Sequence, residues 1–314
     1  MYRFVSTANP VVLKRAYLRE FNMKLLQRKL DGLMDEYPEI KAVLPEDITA
    51  RKLLIGNFKY LAKVYCVFTG YVNGKPADEK PTIIKAFVDG GFKYDSHKQD
   101  IRRFFMDAAN KFEIHNCVYC DLEDVTTFTK ADGTKVRKFE TEHVLDKGEC
   151  PLVALSLYNF VPSCGTCNGP AIKGTKTIGD TEEEIAKLSP SAEGYDFEGK
   201  VRFEVKITNP NAADLKATTH IEDYEVDFDV QESLYQKSID LFELKGRYNV
   251  DKCKAELLKW RELRRNNPDN IVRQFADIKH VAFDVMYEEI FELQLRKRNH
   301  FTMEKARRDV MMMW

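Results

Sequence analysis

Four cysteines in two identical spacings constrain this chain more than any other feature of its sequence. Cys117 and Cys120 form one C-x-x-C pair, Cys164 and Cys167 form a second, and residues 121–163 separate them. Each pair offers two thiolates to one ion, and two pairs complete the tetrahedral four-sulfur shell of a structural zinc site. The alternative is two unrelated cysteine pairs in a core, and a thioredoxin-like redox site needs only one pair. The spacing therefore predicts structural zinc.

The composition is typical of an intracellular globular protein. With 314 residues, 44% of them hydrophobic and 32% charged, the chain is long enough for about two domains with buried cores. It has no run of the roughly 18 apolar residues that a membrane span needs, and its start lacks the apolar core of a signal peptide. We therefore expect a cytoplasmic protein without membrane contact, in which clustered cysteines hold metal more often than disulfides.

Hydrophobic periodicity predicts four segments along the chain. Helices are expected over 11–36 and 48–68, and a long C-terminal helix is expected from Asn267-Pro268 to about 298. The segments are a helical N-terminal domain at 1–110, a core with zinc knuckles at 111–180, a β-hairpin insertion at 181–232, and a helical C-terminal region at 233–314.

Residues with the chemistry of phosphodiester hydrolysis lie between the knuckles and just after them. Glu142 and His143 end a predicted strand, Asn159 precedes the second knuckle, and Asn168 follows its last cysteine. Hydrolysis needs a base to activate water and a cation to stabilise the developing charge. His143 suits the first role, and the oxygen donors Glu142 and Asn168 suit Mg²⁺. The ordinary alternatives are a structural histidine and asparagines in turns or caps.

This order of residues resembles the HNH nuclease family, over about residues 117–176. The resemblance implies that His143 is the catalytic base, that Asn159 orients it, and that Glu142 and Asn168 bind the catalytic Mg²⁺, with Mn²⁺ as a substitute. Glu142 departs from the family, which commonly has Asp at this position. The run is most similar to HNH proteins that bacteria pair with ATPases in anti-phage defence, such as Septu-type systems.

The fold implied by the resemblance is α+β. Its centre is a ββα-metal HNH core, a β-hairpin and a helix gripping one divalent ion, with the structural zinc beside it. Helical N- and C-terminal regions flank this core, and the alternating segment at 181–232 adds an extra β-hairpin.

The overall charge gives no general attraction to nucleic acid, because the 49 Lys and Arg residues are balanced by 50 Asp and Glu residues. Contact with DNA would need local basic patches. Lys173 and Lys176, after the second knuckle, could touch substrate phosphate or be ordinary surface lysines. The C-terminal basic residues could bind phosphates or an acidic partner, or form a solvated helix face; they are Lys259, Arg261, Arg264, Arg265, Arg296, Lys297, Arg298, Lys305, Arg307 and Arg308.

The leading functional expectation is a metal-dependent endonuclease that cuts DNA as the effector of a bacterial anti-phage system, with an ATPase sensor as partner. One alternative is a zinc-ribbon module that binds nucleic acid or acts as a scaffold without activity. Another is an RNA-cutting toxin, since metal-assisted hydrolysis is the same chemistry at either backbone. A plain zinc ribbon needs none of His143, Asn159 and Asn168, which favours the enzyme.

Overall fold

The computed structural model describes residues 1–211, 220–293 and 301–312. The described chain is a mixture of helices and small antiparallel sheets. Within these residues, no helix combines the length and the apolar character needed to cross a membrane.

Contacts between residues divide the chain into two units. A short segment near residue 120 belongs to the C-terminal unit, although the residues on both sides of it belong to the N-terminal unit. The N-terminal unit consists of residues 3–114 and 125–195. The C-terminal unit consists of residues 1–2, 115–124 and 196–314. The four sequence segments given above remain a prediction of domain organisation.

The N-terminal unit is mainly helical and contains two short sheets. Its helices are α1 (Pro10–Arg19), α2 (Met23–Glu36), α3 (Pro38–Val43), α4 (Ala50–Ile55), α5 (Phe58–Asn73), α6 (Lys80–Phe87), α7 (Lys98–Met106), α8 (Gly165–Asn168) and α9 (Glu182–Leu188). Its strands are β1 (Thr127–Thr129), β2 (Lys135–Arg137), β3 (Glu140–His143) and β4 (Phe160–Ser163).

Two helices predicted as continuous are each divided by an asparagine cap. The run expected over 11–36 breaks before Asn22, whose side chain accepts a hydrogen bond from the backbone N–H of Leu25. The run expected over 48–68 breaks at Gly56, and Asn57 caps the next helix in the same way. An asparagine side chain replaces the missing helical acceptor, so a new helix begins although the apolar spacing continues across the break.

The N-terminal unit contains a pair of antiparallel strands that is followed by a short helix. β3 and β4 pair antiparallel, with His143 opposite Phe160, and α8 follows β4 directly. The loop between the two strands is anchored on the helices: the Tyr17 hydroxyl donates to the carbonyl of Leu155 at 2.8 Å, and the Ser156 hydroxyl donates to a carbonyl of α4. The helices therefore fix the loop that follows His143.

The C-terminal unit packs helices beside one two-stranded sheet. Its helices are α10 (Phe197–Lys200), α11 (Gln236–Leu241), α12 (Leu244–Tyr248), α13 (Asp251–Asn266), α14 (Asp269–Lys279), α15 (Phe283–Phe291) and α16 (Glu304–Met312). Its strands β5 (Val201–Ile207) and β6 (Tyr224–Val230) pair antiparallel along their full length, as the alternating sequence predicts.

The long C-terminal helix expected from Asn267-Pro268 to about 298 was wrong. Helix α14 begins at Asp269, one residue later than expected, with Pro268 as its N-cap. It ends at Lys279, because His280 adopts a left-handed backbone conformation with φ 54°. The chain then turns into α15, which lets both helices bury apolar side chains against α13. The cluster they form contains Trp260, Val272, Ala276, Met286, Phe291, Leu293 and Met311. Residues 294–298 of the expected helix lie outside the described residues.

Candidate metal centre and hydrolytic site

The four cysteines of the two knuckles come together in one buried cluster. The sulfur atoms of Cys117, Cys120, Cys164 and Cys167 all lie within 4.8 Å of one another, and each residue is at most 2% exposed. Thiolates bound tetrahedrally at about 2.3 Å from zinc are about 3.8 Å apart. Four buried cysteines therefore lie close enough to hold a metal ion, and their chemistry fits structural zinc.

The first knuckle is held by a tight turn and by hydrogen bonds from other residues of the C-terminal unit. Asp121 takes a left-handed conformation with φ 58°, and its N–H donates to the carbonyl of Cys117 at 3.0 Å. The Tyr248 hydroxyl donates to the carbonyl of Cys120 at 2.7 Å. The buried carboxylate of Asp121 accepts the N–H of Lys305 at 3.2 Å. These bonds fix both cysteines on one side of the turn.

The second knuckle joins β4 to α8. Cys164 is the N-cap of α8, and its sulfur accepts the N–H of Cys167 at 3.4 Å. This N–H···S bond places both sulfur atoms on the same side of the first helical turn. A site with four protein sulfurs has no open position for substrate, so such a zinc ion stabilises the fold and does no chemistry.

His143 lies at the end of β3 with one ring nitrogen already engaged. Its Nε2 is 3.0 Å from the carbonyl oxygen of Ala154, and the rings of Phe160 and Tyr94 contact it edge-on, with centroids at 4.7 and 4.6 Å. Burial lowers the pKa of His143 to about 3, so the ring is neutral near pH 7. A carbonyl can only accept, so Nε2 carries the hydrogen and Nδ1 carries the lone pair.

Asn159 fixes the loop through which His143 is oriented. Its Oδ1 accepts the N–H of Leu145 at 2.7 Å, and its Nδ2 donates to the carbonyls of Leu145 and Val153, both at 3.0 Å. The loop from 144 to 153 is thereby closed at both ends by one buried side chain. It starts directly after His143 and ends directly before Ala154, the acceptor of the histidine N–H. Asn159 thus acts on the histidine through the backbone.

Glu142 and Lys173, predicted as a metal ligand and a phosphate contact, meet each other in a buried ion pair. The Lys173 ammonium is 2.5 Å from Oε1 of Glu142 and donates to the carbonyl of His143 at 2.9 Å. Burial raises the pKa of Glu142, and the neighbouring ammonium opposes this rise. Lys173 was expected to contact substrate phosphate, but its ammonium is buried in this ion pair. Lys176, the other lysine of that expectation, is exposed.

The sequence did not distinguish the two lysines because both follow the second knuckle in one short run. The chain reverses after Cys167, and the N–H of Lys173 donates to the carbonyl of Cys167 at 3.3 Å. This reversal turns Lys173 towards the end of β3. Asn168 is the last residue of α8, is partly exposed, and belongs to a helix that packs against β3.

Tyr94 is a site residue that the sequence reasoning missed. Its ring contacts His143 on one side, and the Lys147 ammonium lies 5.5 Å from the ring centroid. Burial raises the pKa of its phenol. Tyr94 comes from a turn nearly fifty positions before His143, and no spacing pattern connects the two in sequence.

The basic residues of the C-terminal helices mostly serve the interior of their own unit. Arg308 pairs with Glu304 at 2.6 Å and with Glu198 at 2.8 Å. The guanidinium of Arg307 lies 4.0 Å from the centroid of the Trp260 ring. Three further cations of this set are Lys305, which pairs with an aspartate, Arg261, which is buried, and Arg264, which pairs with another aspartate. Arg296, Lys297 and Arg298 lie outside the described residues.

Comparison of the chain with protein-family models, with curated proteins and with solved structures finds no match.

Proposed function

We propose that this protein is a metal-dependent endonuclease of the HNH type that hydrolyses phosphodiester bonds in DNA. The observation that carries the proposal is the placement of His143: it ends β3 directly after Glu142, and its Nε2–H is held by the carbonyl of Ala154, which leaves Nδ1 as the nitrogen with the lone pair. The proposal is supported by the order of elements, since the antiparallel strands β3 and β4 are followed directly by the four-residue helix α8.

In this proposal His143 takes a proton at Nδ1 from the attacking water. The carbonyl of Ala154 then stabilises the resulting imidazolium by accepting its Nε2–H more strongly. Asn159 is a positioning residue, because its three hydrogen bonds hold both backbone segments that determine the orientation of the ring. The aromatic contacts of Phe160 and Tyr94 restrict rotation of the ring.

Glu142 and Asn168 would hold the divalent ion, which supplies positive charge to the phosphate in the transition state when it is bound. Their carboxylate and amide oxygens are the ligand type that Mg²⁺ prefers. At present the Lys173 ammonium supplies the positive charge at this place, since it contacts both a Glu142 oxygen and the His143 carbonyl. Binding of a metal at Oε1 of Glu142 requires this ammonium to withdraw.

The same ion pair favours one second candidate, a zinc-stapled scaffold or nucleic-acid-binding module without catalysis. In that case Lys173 neutralises Glu142 permanently, and His143, which is 7% exposed, is a structural histidine. The two candidates differ in whether the protein turns over a phosphodiester in a manner that depends on metal and on His143.

The deciding experiment compares wild type and His143→Ala on plasmid DNA and on RNA, with Mg²⁺ and with Mn²⁺. Loss of a general base typically lowers the rate by about 10²–10⁴-fold. His97→Ala is the control, since His97 is half-buried and packs on Phe21 outside the β3–β4 region. Cleavage of DNA lost only in His143→Ala supports the nuclease. Cleavage of RNA alone indicates the toxin, and no cleavage by wild type, either alone or with a co-purified partner, indicates the scaffold.

The resemblance to anti-phage HNH proteins extends the proposal to an ATPase sensor as partner and to an effector role in defence. Co-purification of the full chain with the products of neighbouring genes tests this part separately. An ATPase that binds and stimulates cleavage supports it, and efficient unregulated cleavage without any partner contradicts it.

A further inference from the structure

A basic ribbon, defined here as residues 126–138, stands immediately before the strand of the candidate site. Its strands β1 and β2 pair antiparallel from Thr127 opposite Arg137 to Thr129 opposite Lys135. The N–H of Lys138 donates to the carbonyl of Thr126 at 3.0 Å and extends the ladder. All nine residues from 127 to 135 are exposed. The ribbon thus presents both strands and its turn to solvent.

Positive charge is concentrated in the basic ribbon. It carries Lys130, Lys135, Arg137 and Lys138 against the single carboxylate of Asp132, in a chain whose net charge is −1. That carboxylate accepts the N–H of Thr134 at 2.8 Å within the turn, which lowers its pKa. Its main contact is therefore with the backbone of the turn. The Lys135 ammonium makes one hydrogen bond, to a backbone carbonyl at 3.2 Å, and retains two further N–H donors.

The base of the basic ribbon is fixed next to the candidate hydrolytic site. Only two residues separate β2 from β3, and one of them, Phe139, is buried. Arg137 pairs with Glu140, the first residue of β3, at 3.4 Å. Because a strand rises by about 3.3 Å per residue, Lys138 lies within about 17 Å of His143. A phosphate backbone held by the ribbon would pass close to this site.

We propose that the basic ribbon binds duplex DNA by entering its major groove and thereby presents a phosphodiester to the candidate site. This inference rests on the proposed function. Two antiparallel strands lie about 4.8 Å apart, and with side chains such a ribbon fits a groove about 12 Å wide. The major groove of A-form RNA is deep and too narrow for side chains to read, which selects DNA over an RNA duplex.

The two faces of the basic ribbon suit this role in different ways. Lys135 lies on one face opposite Thr129, and together with the exposed Lys130 of the turn it supplies cations for phosphates beside the groove. Phe128 is on the other face, 48% exposed and opposite Val136. An exposed phenyl ring contacts the methyl groups of thymines in a major groove. An acidic protein partner would explain the cations equally well but gives no reason for the exposed aromatic ring of Phe128 on the other face.

The test measures binding of fluorescent 20-base-pair DNA by anisotropy, with the full chain and without added divalent metal, from about 50 to 200 mM KCl. The test variant is Lys130→Ala/Lys135→Ala. The control is Lys24→Ala/Lys59→Ala, which removes the same charge from two exposed lysines on α2 and α5. An RNA duplex of the same sequence is measured in parallel. Thermal midpoint and zinc content show that each variant is folded.

We expect the ribbon variant to bind DNA on the order of tenfold more weakly at about 0.1 M salt, and its salt slope to fall by about 2. The control should keep both values. The proposal is overturned if wild type does not bind the DNA, if control and ribbon variants weaken equally, or if the RNA duplex loses as much affinity as the DNA.

Hydrolysis of a small diester, bis(p-nitrophenyl) phosphate, separates this inference from the proposed function. A small diester needs no groove contact, so the ribbon variant should hydrolyse it at the wild-type rate. If the nuclease proposal is wrong, no variant hydrolyses the diester, yet DNA binding still depends on the ribbon. If only the ribbon inference is wrong, hydrolysis of the diester still depends on His143, and the ribbon variant binds DNA as tightly as wild type.

Discussion

The ammonium of Lys173 lies 2.5 Å from Oε1 of Glu142, and both side chains are buried at the end of β3. Removing two charges from water costs several kcal/mol per ion, so a pair of this kind adds little net stability. Each partner alone would be strongly unfavourable in the same surroundings. The charge state of this pair is therefore coupled to the stability of the protein around β3.

Lys173→Met should lower the free energy of unfolding by about 3–5 kcal/mol, because it leaves the Glu142 carboxylate buried without its partner. Urea denaturation of the zinc-loaded chain measures this. The double variant Glu142→Gln/Lys173→Met should lose clearly less than the sum of the single variants. Strict additivity would mean that the two side chains do not interact in solution.

The same variant should bind a divalent cation more tightly. In wild type the ammonium contacts the carboxylate oxygen that a metal needs, and Lys173→Met removes this competitor. Electron paramagnetic resonance of unbound Mn²⁺ should show a lower Kd for Lys173→Met than for wild type. Glu142→Gln serves as the control and should bind Mn²⁺ more weakly than either. Equal Kd values in all three proteins would exclude Glu142 as a metal ligand.

Protein purified without added zinc should contain about one Zn²⁺ per chain, because the four buried thiolates form a closed site. Cys117→Ser and Cys164→Ser should each lose zinc and be destabilised, since zinc binding and folding are coupled at such sites. Cys66→Ser is the matched control, as Cys66 lies outside the cluster. Elemental analysis of the three variants decides the question; retention of zinc by both knuckle variants would show that the cluster does not hold it.

Asn159→Ala should reduce both stability and DNA cleavage. It removes three hydrogen bonds and leaves buried backbone groups without partners, at a cost of about 1–3 kcal/mol for each unsatisfied group. Asn9→Ala provides a comparison, because Asn9 only caps α1 and its loss costs about 0.5–2 kcal/mol. If Asn159 positions the base, its variant loses kcat at temperatures where it is fully folded, while Asn9→Ala does not.

The sequence was most informative where a spacing reports geometry directly. Two C-x-x-C pairs must each place their sulfurs together, and the structure brings all four within 4.8 Å. Strict alternation likewise predicted the pairing of β5 with β6, because period-two patterns have few alternatives. Glu142 and His143 were expected at the end of a strand, and they are the last two residues of β3.

Long-range contacts and local breaks were beyond the sequence patterns. The apolar spacing of α1 and α2 is continuous, and only the capping bond of Asn22 separates the two helices. Helix α14 ends at one residue, His280, that adopts a left-handed conformation. The neighbouring sequence contains no glycine or proline that would predict this end. The contact of Tyr94 with His143 and the burial of Lys173 depend on tertiary packing, which decides between the solvated and the buried states of the same side chain.

The first knuckle depends on residues that are synthesised much later. The Asn116 side chain donates to the carbonyl of Phe301, 185 residues further along the chain, and the N–H of Met303 donates to the carbonyl of Asp121 at 2.6 Å. At roughly 5–20 residues per second, a ribosome needs about 10 to 40 s to make that stretch. For this interval Cys117 and Cys120 lack their C-terminal packing. The nascent chain therefore exposes this thiol pair to solvent before the residues that bury it have been made.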